Sequence, residues 1–264
     1  MNTFKLSLIP LIAVFLFAIG GCESTNDPGT TQDPVDTTGT GNQNDTTKDN
    51  PIESGVNNDT AEEVVYELTI YNDWSAETHP LDFPPDAHFS HLGGATHNDQ
   101  VLFWKPGEWV TPGMQEMAES GSVATLVNGE VEKAIQEGNA YSGFLEEIYT
   151  PVKPAIAPGS RTTTIEVHRS HHLVTLVTML GASPDWFVGV SGLSLMKEGK
   201  WLKDLQVDLP LYDGGTRDGW IPVMGGPYTY PPAPVSFITY RPGEGYGPAT
   251  EPHIIGRIVF KRIQ

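Results

Sequence analysis

The sequence has one cysteine, Cys22, in 264 residues. An intrachain disulfide is therefore impossible, and the core has to hold without one. Basic residues are scarce as well: 15 Lys and Arg stand against 33 Asp and Glu, for a formal net charge of −18. That balance argues against nucleic-acid binding and against attraction to an anionic bilayer surface, both of which need clustered positive charge. After the first 21 residues no long apolar run occurs, and no internal repeat stands out. Catalytic signatures are missing too. Gly189-Val190-Ser191-Gly192-Leu193 lacks the Gly-x-Ser-x-Gly spacing of a nucleophile elbow. The glycine-rich run from Pro242 to Gly247 is followed by neither the lysine nor the helix that a phosphate cradle needs, and no histidine lies in a metalloprotease helix signature.

What is present divides the chain into three parts. Residues 1–21 carry one early lysine, Lys5, then an apolar run from Leu6 to Ile19 that ends in small residues. This is the pattern of a secretory signal, and the run is short for a span of about 20 apolar residues. Ile19-Gly20-Gly21-Cys22 matches the processing box of bacterial lipoproteins, in which the cysteine is lipidated and becomes the mature N-terminus. A membrane anchor through Cys22 is the expectation, and several acyl chains on one cysteine would make it stable. Residues 22–63 are Thr, Asp, Asn, Gly and Pro with few apolar residues, and ten acidic residues stand there against Lys48 alone. Such a composition buries too little to offset the entropy of ordering, so this segment reads as a disordered acidic tether.

Residues 64–264 are long enough for one domain with a sizeable core. Val64 to Tyr71 is rich in β-branched and aromatic residues and reads as the first strand. Short helices are expected at Pro112–Glu119, capped by Thr111, and at Glu130–Glu137, with Asn128 as a possible cap and Gly138 as the stop. Thr163 to Leu180 reads as a hairpin turning at Arg169 to His171, whose second strand is apolar on both faces and hence central. Asp204 to Leu209 alternates, and Ile254 to Ile263 would close the sheet. With 28 Gly and 22 Pro marking turns, the expected architecture is mainly β: an antiparallel β-sandwich with one or two short helices in the connections.

The most informative stretch is Ser183-Pro184-Asp185-Trp186-Phe187-Val188-Gly189-Val190, answered downstream by Tyr212-Asp213-Gly214-Gly215-Thr216-Arg217-Asp218-Gly219. Pro184 presets a turn before a strand, and the glycines after Asp213 permit a tight turn, so both aspartates should lie on turns. These two blocks resemble the spondin N-terminal domain of F-spondin and mindin. The likeness extends upstream, in the same order, through Tyr66-Glu67-Leu68-Thr69, Trp74-Ser75, Phe83-Pro84, His88-Phe89-Ser90, Gly94-Ala95-Thr96-His97 and Met117-Ala118-Glu119-Ser120-Gly121.

The resemblance implies a β-sandwich with a calcium ion held by carboxylates at its rim, at positions matching Glu166, Asp185 and Asp213. Three carboxylates with turn carbonyls and water would satisfy the six to eight oxygens that calcium takes, and without a cation they would repel one another. The alternative is that Asp185 and Asp213 cap turns while Glu166 faces solvent. Asp208 and Asp218 are further carboxylates nearby in sequence. His88, His91 and His97 have a spacing open to a three-histidine zinc site, the basis of a competing reading as a zinc-dependent hydrolase. Their place inside the resembling blocks favours packing roles. The resemblance therefore implies a non-enzymatic, lipid-anchored envelope or cell-surface binding module whose ligand is a surface glycan or a protein. A structural envelope protein without a discrete ligand is a third class. The run Pro227-Tyr228-Thr229-Tyr230-Pro231-Pro232 is either a binding ridge or a rigid strand connection.

Overall fold

The computed structural model describes residues 51–145 and 155–264. The expected signal, the lipidated Cys22 and most of the expected tether lie outside the described residues. Within Thr47–Gln264 the chain forms one compact unit.

Two antiparallel sheets make the sandwich. In the first, β1 (Glu63–Asn72) is flanked by β4 (Gly159–His168) and β11 (Ile254–Arg262), with β7 (Asp204–Pro210) beyond β11. In the second, β5 (Leu173–Gly181) pairs with β6 (Trp186–Ser194) on one side and with β2 (Gly93–His97) on the other. The sheet continues from β2 to β3 (Ala140–Leu145), and from β6 through the two-residue β8 (Tyr212–Asp213) to β9 (Ser236–Arg241) and β10 (Gly245–Ala249).

Period-two alternation places β1. Val64, Tyr66, Leu68 and Ile70 are buried while their neighbours are not, so one face of the first sheet is dry and the other is wet. That dry face meets Leu176, Leu180, Trp186, Val188 and Ile238 of the second sheet in one core cluster. The second sheet is covered on both faces. Val177, Met179, Phe187 and Tyr212 point the other way and pack under a helical layer with Met114, Met117, Leu126 and Val131. This is why Leu173–Leu180 is apolar throughout, as the central position requires.

The helical layer comprises α1 (Pro112–Ser120) and a π-helical stretch, Leu126–Val131, that runs directly into α2 (Glu132–Gln136). At α1 the side chain of Thr111 accepts from the Met114 amide, Pro112 occupies the first turn, and Gly121 ends the helix at φ +74°. The second helix starts earlier than the pattern predicts. Asn128 lies inside it rather than capping it, because Leu126 and Val127 are drawn into the core beneath the sheet.

Three further expectations are corrected. Ile52–Glu53 pairs with β7 and Val56–Asn57 pairs with Lys200–Leu202, so ordered structure begins inside the segment expected to be tether. Backbone ladder bonds to an existing edge need no apolar side chains, which is why composition missed them. The segment Thr163–Leu180 is not a hairpin: β4 pairs with β1 in one sheet and β5 pairs in the other. The chain turns a corner at Arg169 to His172, as strands of a sandwich do when they switch sheets. Finally, β11 does not close its sheet but lies inside it, between β7 and β1.

Candidate functional site

At one end of the sandwich, the turn before β6 meets β8 and the loop that follows. The Ser183 hydroxyl accepts from the Trp186 amide at 3.0 Å, closing the turn that Pro184 begins and burying Asp185 completely. Across the ladder, Trp186 pairs with Asp213, and the Gly214 amide donates to the Asp185 carbonyl at 3.1 Å. Asp185 and Asp213 are thereby brought to the same rim.

The two carboxylates are held differently. Asp185 Oδ2 accepts from the Thr216 amide at 2.7 Å, the Thr216 hydroxyl at 3.0 Å and the Arg217 amide at 2.9 Å. Its Oδ1 is buried with no protein partner. Asp213 Oδ1 accepts from the Gly215 amide at 2.6 Å. Burial and the neighbouring Asp185 charge push the Asp213 carboxyl up to about 7. Burial also raises Asp185, against the pull of the Thr216 and Arg217 hydrogen bonds, and the charge of Glu119 adds to the rise.

Glu119, near the end of α1, accepts on Oε2 from Arg217 Nε at 2.8 Å and Nη2 at 2.6 Å, while Gln115 donates to its Oε1 at 2.7 Å. Burial alone would raise this carboxyl, but the bonds from Arg217, Gln115 and Thr216 hold it below its ordinary value. The Arg217 guanidinium also covers the Tyr228 ring, 3.6 Å from its centroid.

These contacts root a largely exposed ribbon. After Asp213 the chain runs out through Thr216 and Arg217, turns, and returns through Tyr228, Thr229 and Ala233. The Thr229 amide donates to Thr216 O at 3.0 Å, Asp218 N–H to Pro227 O at 2.9 Å, and Ala233 N–H to Gly215 O at 2.8 Å. Glycine is required at position 215: φ is +74°, and a Cβ there would lie 2.1 Å from the Ala233 carbonyl oxygen.

Glu166 does not join this rim. It sits in β4 opposite Val65, its carbonyl accepts from the Thr96 hydroxyl at 3.2 Å, and with Val174 it lines a small cavity at the far end of the sandwich. Five residues of β5 separate Val174 from Met179, which is beside the Asp185 turn, a distance of about 17 Å at 3.3 Å per residue. The corner between β4 and β5 is the reason. A hairpin would have carried Glu166 along the same sheet, whereas the sheet switch leaves it near the start of β5.

The histidines are dispersed as well. His88 pairs beside Gly181 at one end of β5 and His97 beside Leu173 at the other. His97 is buried in a satisfied chain: Nδ1–H donates to Asn98 O at 2.7 Å, and Nε2 lies 2.8 Å from the Thr175 hydroxyl. His88 Nδ1–H donates to Asp86 O at 2.6 Å. Among the described residues no three His, Cys, Asp or Glu side chains are grouped to hold a metal ion, and no helix is long and apolar enough to cross a membrane.

Sequence reasoning missed Glu119, Thr216 and Arg217 as site residues. Glu119 lies inside a block that carried the resemblance, but only the packing of α1 against the rim shows what it clasps.

A family model described as Spondin_N matches residues 64–244. Spondin-2 of Homo sapiens is 34% identical over 158 residues, 59% of this chain and 46% of that protein. Spondin-2 of Rattus norvegicus is 33% identical with the same coverage. Spondin-1 of Mus musculus is 33% identical over 165 residues, 58% of this chain and 19% of that protein. The matched stretch thus spans less than half the length of these relatives.

Proposed function

The chain belongs to the spondin N-terminal domain family, and from that premise we propose that it is a binding or adhesion module of the cell envelope, anchored through a lipidated Cys22 and engaging a surface glycan or protein with the Asp185–Asp213 end of the sandwich. The observation that carries the reading is the rim itself. Two carboxylates are buried side by side, one oxygen of Asp185 has no protein partner, and the loop they hold is largely exposed. A rigid scaffold with a braced exposed loop is the usual arrangement of a binding site.

The rim also fits a cation. Asp185 and Asp213 would hold calcium together with turn carbonyls and water, since hard oxygen donors are what that ion takes. The ion would supply charge neutralisation to two carboxylates that otherwise repel, and would stiffen the base of the ribbon. Glu119 is engaged by Arg217 and Glu166 is at the other end, so the site contributes two carboxylates rather than three. Among the described residues no three His, Cys, Asp or Glu side chains are grouped to hold a metal ion, so nothing there supports the hydrolase reading over a binding module.

The test is binding of the chain to arrays of glycans and matrix proteins, with calcium and with chelator, beside an Asp185→Asn variant. A ligand retained by the wild type and lost or weakened in the variant supports the reading. Ligand binding that is indifferent to this rim would move the function elsewhere on the domain.

A further inference from the structure

The second sheet contains a strand that is only half paired on one side. β6 runs from Trp186 to Ser194, yet its ladder with β8 holds two pairs, Trp186 with Asp213 and Phe187 with Tyr212. The next positions end the ladder. In the same register Gly189 would face Pro210, which has no N–H to give, and Leu211 turns its amide to His253 O at 3.0 Å as the chain passes between the sheets. Beyond Phe187 no strand among the described residues pairs with β6 on that side.

The main chain of this edge faces a groove. The Gly214 amide donates to Asp185 O, so Asp185, Phe187, Gly189 and Ser191 turn their peptide groups away from β5. The Gly192 amide donates back to the Thr175 hydroxyl of β5 at 3.0 Å, which keeps that alternation where the register shifts between Val190 and Leu193. Gly189 and Ser191 thus border a groove of about 1080 Å³ between β6 and β7. Across it, Ile52 and Glu53 pair with β7 only at Gln206 and Leu205, so that edge has no paired strand from Val207 to Pro210. Trp104 forms one wall: its carbonyl accepts from the Ser191 hydroxyl, and its buried indole N–H has no partner.

The chemistry of the edge selects the occupant. Gly189 and Val190 are buried, and peptide groups away from water are costly unless bonded. An acyl chain would cover them without bonding them. A sugar offers hydroxyls but not the strand repeat of about 6.7 Å, two residues, at which this edge presents its groups. A second folded copy carries the same edge at the bottom of its own groove, so two such edges cannot approach to the 4.7–4.9 Å of a ladder. An extended polypeptide fits on every count. The molecule already uses that mode on the opposite edge, where Ile52 is 66% exposed and held through its pairing with Gln206.

We propose that this groove takes an extended segment of a partner protein as an added strand on β6, continuing the line of β8 past Gly189. Alternate side chains of the segment face the Trp104 wall and the Val207 side, which belong to the two different faces of the sheet. The segment therefore carries hydrogen-bond acceptors in one register, for the indole N–H, and aliphatic side chains in the other. Neither Asp185 nor Asp213 lines the groove, so the site stands apart from the carboxylate rim and its ligand.

The test pans the mature chain carrying Cys22→Ser against a phage library of random peptides, in calcium and in chelator. Enriched peptides should alternate in the way described and bind equally in both conditions, which separates this site from the rim. One selected peptide is then synthesised with each amide N-methylated in turn, a change that leaves the protein untouched. Methylation should weaken binding about tenfold at every second residue and little at the residues between, since each ladder bond lost is worth about that factor. Ser191→Pro removes an edge amide and should weaken all the selected peptides; should that variant not fold, slower amide exchange at Ser191 in the wild-type complex reads the same contact. Absence of enriched peptides, or methylation effects without a period of two, overturns the proposal. So does enrichment that appears only when residues 23–46, outside the compact unit, are deleted, since the groove would then belong to the chain's own N-terminal segment. Self-association of the chain that Ser191→Pro abolishes would give the edge to a second copy and overturn it as well.

Discussion

The Asp185 carboxylate accepts from the Thr216 amide at 2.7 Å across 31 residues of chain. One oxygen of a fully buried side chain thus gathers three donors from the base of the ribbon, and its other oxygen is buried without a protein partner. Whatever the ribbon binds, this carboxylate is what keeps its root in place.

Asp185→Ala should cost about 2–4 kcal/mol in chelator, because three donors lose a shared acceptor in a buried site. Asp185→Asn keeps an acceptor oxygen and should cost less. With calcium at one hundred times its dissociation constant the wild type should gain about 2.7 kcal/mol. The Asn variant should lose most of that gain, and Glu166→Gln should keep all of it. Thermal unfolding of the three proteins with and without calcium decides the ligand set, and a Glu166→Gln variant blind to calcium would return that residue to it.

Asp213 sets a pH dependence. Its folded value, about 7, lies above the ordinary 3.8, so the fold favours the protonated form. The resulting stability is fully present below pH 3.8 and is lost as pH rises through about 7. Calcium-free protein should therefore lose up to about 4 kcal/mol through this group between those limits. Asp213→Asn should flatten that part of the profile in urea titrations at stepped pH; an unchanged slope would show that the carboxyl is ionised at little cost.

A second pair acts in the opposite sense. His79 Nε2 lies 2.8 Å from His253 Nε2, with Tyr240 and Tyr246 packed against the His79 ring. Burial and the neighbouring His253 lower His79 from 6.5 to about 4, and burial lowers His253 as well. Stability from this pair is present above pH 6.5 and is lost as pH falls through about 4, by about 3 kcal/mol for His79. His253→Gln should shift the acid midpoint measured by near-ultraviolet circular dichroism; a midpoint that stays in place assigns acid unfolding to other groups.

Gly215→Ala places a methyl against the Ala233 carbonyl in a backbone conformation that alanine avoids. We expect a loss of about 1–3 kcal/mol, with faster amide exchange at Thr229 and Ala233, whose N–H groups close the ribbon. Exchange confined to its wild-type rates at those two amides would mean that the turn relaxes without opening the ribbon.

Cys22→Ser should abolish lipidation and move the protein out of the detergent phase in two-phase partitioning of cell extracts. Retention of the variant in that phase would assign membrane attachment to another part of the chain.

Much of this protein was determined by its sequence alone. Alternation in β1, the doubly apolar run of β5, the Thr111 cap and the Gly138 stop are local patterns, and each reads out a periodicity or a backbone preference that neighbours cannot override cheaply. The turn carrying Asp185 is legible for the same reason, whereas Asp213, expected on a turn, is the last residue of strand β8 and is buried in the ladder between Trp186 and Ser236. What the tertiary structure decided is which end of the sandwich each residue reaches. A sequence with a polar turn between two strands looks the same whether the strands pair or switch sheets, because both use the same side-chain periodicity. The choice depends on what covers each face: β4 has one dry face and joins β1, while β5 has two and needs a sheet on one side and helices on the other. That single corner at Arg169 to His172 sends Glu166 away from the aspartates and leaves Asp185 to be met instead by Thr216, Arg217 and, through Arg217, by Glu119.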